Sequence, residues 1–299
     1  MSKEASYNYN LGGGSINLSE TVNISLTQTN GNSTDLIGTN ITIVDDDNVI
    51  LLSTTWQGTE ITTQIPGGTQ YTIFVDSIAG YYVKNSKKYV AKIQYERSIT
   101  FNYITTGAFV EATDGTLYTS SAWSSSGKIA NSVVVIGTNH TYRIALNGSS
   151  YRDKPIHSNS SDKMNQYLPQ LSVVGDAYED WDGKKNTEKI LNFNIQFGSN
   201  TTSYAAPYCI NYVFPDGKTH GYIPSAGQAH YTALNSSIIK ACMEAAGGTT
   251  VGGWHTTSTL ASSDSNCMYV NSGYYGDITW GGSVPISFNT SVIPYADYD

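Results

Sequence analysis

Residues 21–48 read "TVNISLTQTNGNSTDLIGTNITIVDDDN". Val22, Ile24 and Leu26 alternate with Asn23 and Ser25, and Ile41 and Ile43 flank Thr42. A period of two puts the apolar side chains on one face of an extended chain. Asn30-Gly31-Asn32 and Asp45-Asp46-Asp47-Asn48 supply turn chemistry after each run. The pattern returns at Tyr71, Ile73, Val75 and at Ile99, Phe101, Tyr103, with Pro66-Gly67-Gly68 and Asn85-Ser86 as turns. Evenly spaced short strands predict an antiparallel β-sandwich over residues 22–104. The 45–47 run reads as a hairpin turn rather than a calcium loop, because no ligating Glu follows at a useful spacing.

The composition agrees with a mainly β chain. Charged residues make up 13% of the 299, and 23 Tyr stand against 7 Phe. Thr, Tyr, Val and Ile suit pleated strands. A net charge of −8 without a basic stripe excludes a nucleic-acid partner. Lys84, Lys87 and Lys88, the tightest basic cluster, read as a strand edge kept from aggregating. No apolar run reaches the length of a membrane span. Residues 1–21, with Gly12-Gly13-Gly14, read as an N-terminal arm that is flexible or ordered only against a partner. Its "MSKEASYNYNLGGGS" has no apolar core or cleavage site of a leader, so export by the usual route is not expected.

Residues 105–299 change character. "GAFVEATDGTLYTS" reads as a hairpin turning at Asp114-Gly115, and "SVVVIG" and "TYRIALN" as strands. A polar surface loop is expected over 147–166. Helices follow: Asn186 and Thr187 would cap "EKILNFNIQF", and Pro207 lies near the start of "AAPYCINYVF". "SAGQAHYTALN" comes next, then "SSIIKACMEAAGG" with Ser236 or Ser237 as N-cap and Gly247 as the stop.

Catalytic and metal signals are weak, and the chain is expected to be neither an enzyme nor a cofactor protein. Cys209, Cys242 and Cys267 have no CxxC spacing; the first two read as small core residues, and Cys267 as the exposed one. His140, His157, His220, His230 and His255 form no ligand motif. "DWDGKKNTE" holds fragments of a calcium loop, but a turn plus helix cap explains it better, so no metal site is assigned near Asp180 and Asp182. Neither a nucleophile elbow nor a phosphate-cradling loop occurs. Paired carboxylates of a glycosidase are a spatial feature that sequence does not display. The positive signal is the Tyr/Ser/Asn/Gly mixture of "DSNCMYVNSGYYGDITWGG", residues 264–282. Such mixtures supply rigid amphipathic rings and adaptable hydrogen bonding at contact surfaces, and aromatic faces stack on sugars.

Four ordered motifs carry a family resemblance: "GAFVEATDGTLYTSSAW", "YEDWDGKKNTEKIL", "APYCINYVFPDGKTHGYIPSAGQ" and "AAGGTTVGGWHTTSTLASSDSNCMYVN". Together they resemble the C-type-lectin-like modules of gut Bacteroidales surface proteins and of crAss-like and other tailed-phage fibre proteins. Residues 22–104 are similar to the immunoglobulin-like modules that precede such domains. The resemblance implies an Ig-like spacer followed, over 105–299, by a C-type-lectin-like domain of two main helices and a twisted antiparallel sheet. It implies a virion head or tail fibre, made in the host cytoplasm. As a homotrimer, the chain would dock to other virion proteins through the arm and bind a host-surface glycan or protein. The alternatives are a fimbrial-tip or surface adhesin of a gut bacterium, a capsid decoration protein, and a glycan-degrading enzyme. Sulfatase-modifying enzymes share the fold and use a Cys pair that Cys242 and Cys267 imitate loosely. The chain departs from the family at Ala229-His230, at Trp254-His255 and in its last thirty residues. Trp254, His255, Tyr274, Tyr275 and Trp280 are therefore the expected ligand contacts, and Tyr269 a scaffold residue.

Overall fold

The computed structural model describes residues 8–10, 15–31, 33–150, 153–159, 164–171, 173–249, 254–261, 267–272 and 279–298. The chain divides into two compact units, Met1–Thr106 with Ile136–Asn139, and Gly107–Val135 with His140–Asp299.

In the first unit β1 (Asn8–Asn10) and β2 (Ser15–Asn17) form a small hairpin. Then follow β3 (Ser19–Thr29), β4 (Asn40–Asp45), β5 (Ile50–Thr55), β6 (Ile61–Pro66) and β7 (Gln70–Val75). The unit closes with β8 (Tyr81–Tyr82), β9 (Ser86–Val90) and β10 (Tyr95–Thr105). Two sheets, in the orders β6-β3-β10-β8 and β5-β4-β7-β9, enclose one core. Val22, Ile24, Ile41, Ile43, Tyr71 and Ile73 are fully buried in it, the residues picked out by the period of two. Each such aliphatic side chain contributes about 1.5–3 kcal/mol relative to exposure.

Three expectations need correction here. The sandwich is not wholly antiparallel, since β3 and β10 run parallel from Glu20↔Tyr95 to Thr29↔Ile104. Strand β3 begins inside the stretch read as an arm, and Glu20 is completely buried. Its carboxylate accepts from Arg97 Nε (2.5 Å), Tyr71 Oη (2.9 Å) and the Lys92 backbone N–H (2.6 Å). Burial pushes its pKa up, but these donors outweigh burial and leave it below the ordinary carboxylate value. Residues 45–49 do form a turn: Asn48 has φ +60°, and Asp45 Oδ1 accepts from the Asp47 and Val49 N–H groups. The third correction is to 147–166, where Ile156, His157 and Met164 are buried rather than on the surface.

The second unit opens with β11 (Gly107–Ala112), β12 (Leu117–Tyr118), α1 (Ser120–Trp123), β13 (Ala130–Ile136) and β14 (Thr141–Ala145). Then come β15 (Gln170–Leu171), α2 (Val174–Tyr178), α3 (Gly183–Gln196), α4 (Ala205–Asn211), α5 (Ala226–Leu234) and α6 (Ser236–Ala245). It ends with β16 (Trp254–Ala261), β17 (Cys267–Ser272), β18 (Thr279–Pro285) and β19 (Tyr295–Asp297). One sheet has the order β12-β11-β13-β14-β19 and the other β15-β16-β17-β18. Helix α6 packs Ile239, Cys242 and Met243 against Ala108, Val110 and Tyr142 of the first sheet. Ile190 and Phe193 of α3 join Ala205 and Cys209 of α4, Leu260 and Ile286 in a second cluster. Glu111 is buried and accepts from Arg143 through both oxygens, and from Asn131 and Ser132.

Both expected helix caps are displaced. Helix α3 starts at Gly183 with Asp182 as N-cap, so Asn186 and Thr187 lie inside it. Helix α6 follows directly on α5, with Asn235 rather than a serine before it. Gly247 does end α6, at φ +72°. No helix among the described residues is long and apolar enough to cross a membrane.

Candidate functional site

The expected contacts fall on the β15-β16-β17-β18 sheet. Trp254 stands opposite Ser272, which stands opposite Thr279; His255 stands opposite Asn271, which stands opposite Trp280. Tyr274 and Tyr275 lie outside the described residues, as does the side chain of Cys267. Tyr269 is a strand residue of β17, opposite Ser283.

A second aromatic group, built from segments far apart in sequence, is fully described. His140, immediately before β14, stacks on Trp181 with ring centroids 3.6 Å apart and planes 2° from parallel. Trp181 meets Tyr231 of α5 edge-on at 5.9 Å. One residue earlier on α5, His230 stacks on Tyr178 at 3.7 Å and 7°. All five rings are part-exposed. Burial lowers the pKa of His140, with Glu179 opposing, and burial also lowers that of His230. Both imidazoles are therefore neutral at neutral pH, and the strip is an uncharged aromatic surface.

Local chemistry explains how the strip is held. Ser225 and Gln228 form a reciprocal capping box at the start of α5, and Gln228 Nε2 donates to Tyr222 Oη (2.8 Å). The segment carrying Tyr178 and Trp181 lies hard against α5, where the Gly227 N–H donates to Asp180 O (3.0 Å). A Cβ on Gly227 would lie 2.5 Å from Asp180 O and 2.6 Å from Tyr178 O. Gly183 is equally confined: its Cβ would lie 2.3 Å from Gln228 Oε1. Gly227→Ala is therefore expected to destabilise the second unit by about 1–3 kcal/mol and to loosen the ring pairs. Denaturant unfolding and the near-ultraviolet dichroism of the aromatic residues measure this; an unchanged midpoint and spectrum would count against the packing described.

Asp180 braces the same segment. Its Oδ1 accepts from the Asp182 N–H (3.0 Å), and its Oδ2 from Asn186 Nδ2 (2.9 Å) and Thr259 Oγ1 (2.5 Å). Both oxygens serve protein donors and hold the turn, while the helix cap read from the sequence is displaced. Among the described residues no group of three or more His, Cys, Asp or Glu is placed to hold a metal ion. An open cleft of about 290 Å³ is lined by Glu179, Asp182, Lys185 and Lys189 among others, with none of the five rings in its wall. A larger groove, of about 540 Å³, runs between α3 and β19, past Lys184, Leu191, Ile210, His220 and Asp297. Cys209 and Cys242 are buried; burial raises both thiols, that of Cys242 to about 11, so neither is a thiolate at neutral pH.

Sequence reasoning read "YEDWDGKKNTEKIL" as scaffold and the histidines as scattered. The available signal was the departure at Ala229-His230, the two residues that follow Gln228 where the family has Trp.

No protein-family profile matches the chain, and no curated protein does. Among solved structures, a fimbrial protein from Bacteroides ovatus is 10% identical, covers 95% of this chain and 71% of its own, and gives a TM-score of 0.44. The pilus-presented adhesin Spy0125 (Cpa) is 14% identical over 30% of this chain and 28% of its own, at a TM-score of 0.22. The pilus backbone protein RrgB from Streptococcus pneumoniae is 11% identical over 96% of this chain and 61% of its own, at 0.21. These neighbours are fimbrial and pilus proteins, none of them a phage or C-type-lectin protein, and similarity this slight carries no functional conclusion.

Proposed function

We propose that the chain is a non-enzymatic adhesin whose second unit binds a surface glycan through the His140–Trp181–Tyr231 and Tyr178–His230 strip. The strip itself carries this reading. The part-exposed rings, Tyr178, His230 and Tyr231 on helices and His140 and Trp181 in connecting segments, offer the edges and outer faces that their stacking leaves to the C–H faces of sugars, and the flanking Glu179 and Asp182 supply hydrogen bonds to hydroxyls. The C-type-lectin-like assignment of residues 105–299 belongs to this proposal and is supported by the four sequence motifs. So does the bacterial cell surface as its setting, the alternative drawn from the resemblance, in place of the virion. Labelled antibody on intact cells tests that setting, and signal on phage particles alone would reverse it.

Trp181→Ala, at a part-exposed ring that also packs against the core of this unit, is expected to lower the melting temperature by several degrees while leaving the unit folded, and to lower glycan affinity about tenfold, or ~1.4 kcal/mol. A glycan array followed by calorimetry on the best binder measures both. Unchanged affinity in this variant would remove the strip from the site, and release of sugar products on incubation would remove the non-enzymatic reading.

A further inference from the structure

We propose that the first unit self-associates head to tail, the β5 edge of one copy pairing with the β9 edge of the next. Strands β5 and β9 are the two edges of one sheet, and among the described residues each pairs on one side only. Open edges are templates for another strand and are normally blunted. In this unit β8 is two residues long, β6 ends in Pro66, and β9 carries Lys87 and Lys88. Strand β5, Ile50–Thr55, contains neither charge nor proline. Past an irregularity at Leu51 it pairs regularly with β4. The Trp56 N–H and C=O both point inward, to Thr39 and Gly38. By two-residue alternation Ser53 and Thr55 turn theirs outward.

Charge and direction select the occupant. Between Lys3 and Lys84 there is no Lys, Arg or His. The turn before β5 holds Asp45, Asp46 and Asp47, and Glu60 follows the strand; Lys84, Lys87 and Lys88 mark the β9 side. Lys88 Nζ lies 3.0 Å from Asp46 Oδ1 within one copy and Lys87 Nζ donates to the Thr100 carbonyl, so Asp47, Glu60 and Lys84 are the charges outside those internal contacts. Two β9 edges would set lysines against lysines, and two β5 edges acids against acids, whereas β5 beside β9 sets opposite charges together. Every pairing within the sheet is antiparallel, so β5 and β9 run in opposite directions. A copy displaced sideways in the same orientation therefore presents its β9 antiparallel to β5. The same placement brings the sheet end carrying Val90 (52% exposed) beside the end carrying Val49 (44%) and Ile50 (58%). Because the two edges differ, the association does not close on itself as a dimer.

Sedimentation velocity on the full chain tests this. Wild type is expected to show association that grows with concentration and weakens in 1 M salt. Ser53→Pro removes an outward N–H and no internal bond, and is expected to lower the association constant at least tenfold. Because its β9 is intact, it is also expected to shorten wild-type assemblies when mixed with them. Lys84→Glu, at an exposed position outside the core, is a second variant expected to weaken association. The proposal is overturned if wild type stays monomeric at all concentrations, which would leave β5 to a foreign strand or to none. It is equally overturned if Ser53→Pro or Lys84→Glu associates like wild type, or if mixing leaves the assemblies unchanged.

Discussion

Glu20→Gln is expected to cost the first unit about 3–5 kcal/mol, the penalty of breaking a buried ion pair from one side. The substitution leaves the Arg97 guanidinium against an uncharged partner in a site where Glu20 is fully buried and the Arg97 side chain is 19% exposed. Tyr71 Oη and the Lys92 N–H keep only a neutral acceptor. Amide exchange at Ile24 and Ile99, on the adjacent parallel strands, is the measurement. Protection there is expected to fall at least a hundredfold, with amides of the second unit unaffected. The pH dependence has a definite sign. A carboxyl whose folded pKa lies below its ordinary value of 4.5 contributes stability that is present above that pH and is lost as pH falls through the folded pKa. Wild type is therefore expected to lose stability in acid below about pH 4.5, and Glu20→Gln to lack that part of the acid slope. Parallel acid profiles for the two proteins would contradict the ion-pair role.

Glu111→Gln is the corresponding break in the second unit, also expected to cost about 3–5 kcal/mol. Glu111 gathers donors from two neighbouring strands: Asn131 (2.8 Å) and Ser132 (2.7 Å) of β13, and Arg143 Nε (2.9 Å) of β14. Arg143 also donates to the Asp297 carbonyl, so the damage extends to the C-terminal strand. Asn131 in turn accepts from the Asp216 N–H (2.9 Å), linking the pair to the "FPDGKT" turn. Four of the five tryptophans lie in this unit, so an earlier fluorescence transition in denaturant is the expected signal. A midpoint equal to wild type would show that neither charge is needed.

What was legible in the sequence was what local period encodes. Val22, Ile24, Ile41, Ile43, Tyr71 and Ile73 alternate and are buried, and Gly115 and Gly247 mark a turn and a helix end at positive φ. What was not legible depends on distant partners. A period of two is the same for parallel and antiparallel pairing, so the β3–β10 pair was hidden. Glu20 reads as a solvated charge until Arg97, seventy-seven residues on, is placed beside it. Helix α3 starts early because Gly183 fits beneath Gln228, a close approach that reads locally as a helix breaker. The aromatic strip joins residue 140, residues 178 and 181, and residues 230 and 231, and no local pattern relates those three segments. The Trp254, His255 and Trp280 expectation rested on composition and departure from a family, which single out segments but not neighbours in space.

The central claim, that the Trp181 strip is the contact surface, is tested most directly by the indole N–H resonances. Five tryptophans report five places: Trp56 the sandwich core, Trp123 the core beneath α6, Trp181 the strip, and Trp254 and Trp280 strands β16 and β18. On titration with a glycan selected by array, the Trp181 resonance is expected to move in proportion to occupancy while Trp56 and Trp123 stay in place. Movement of Trp254 and Trp280 with Trp181 unmoved would contradict the account and return the site to the C-terminal strands.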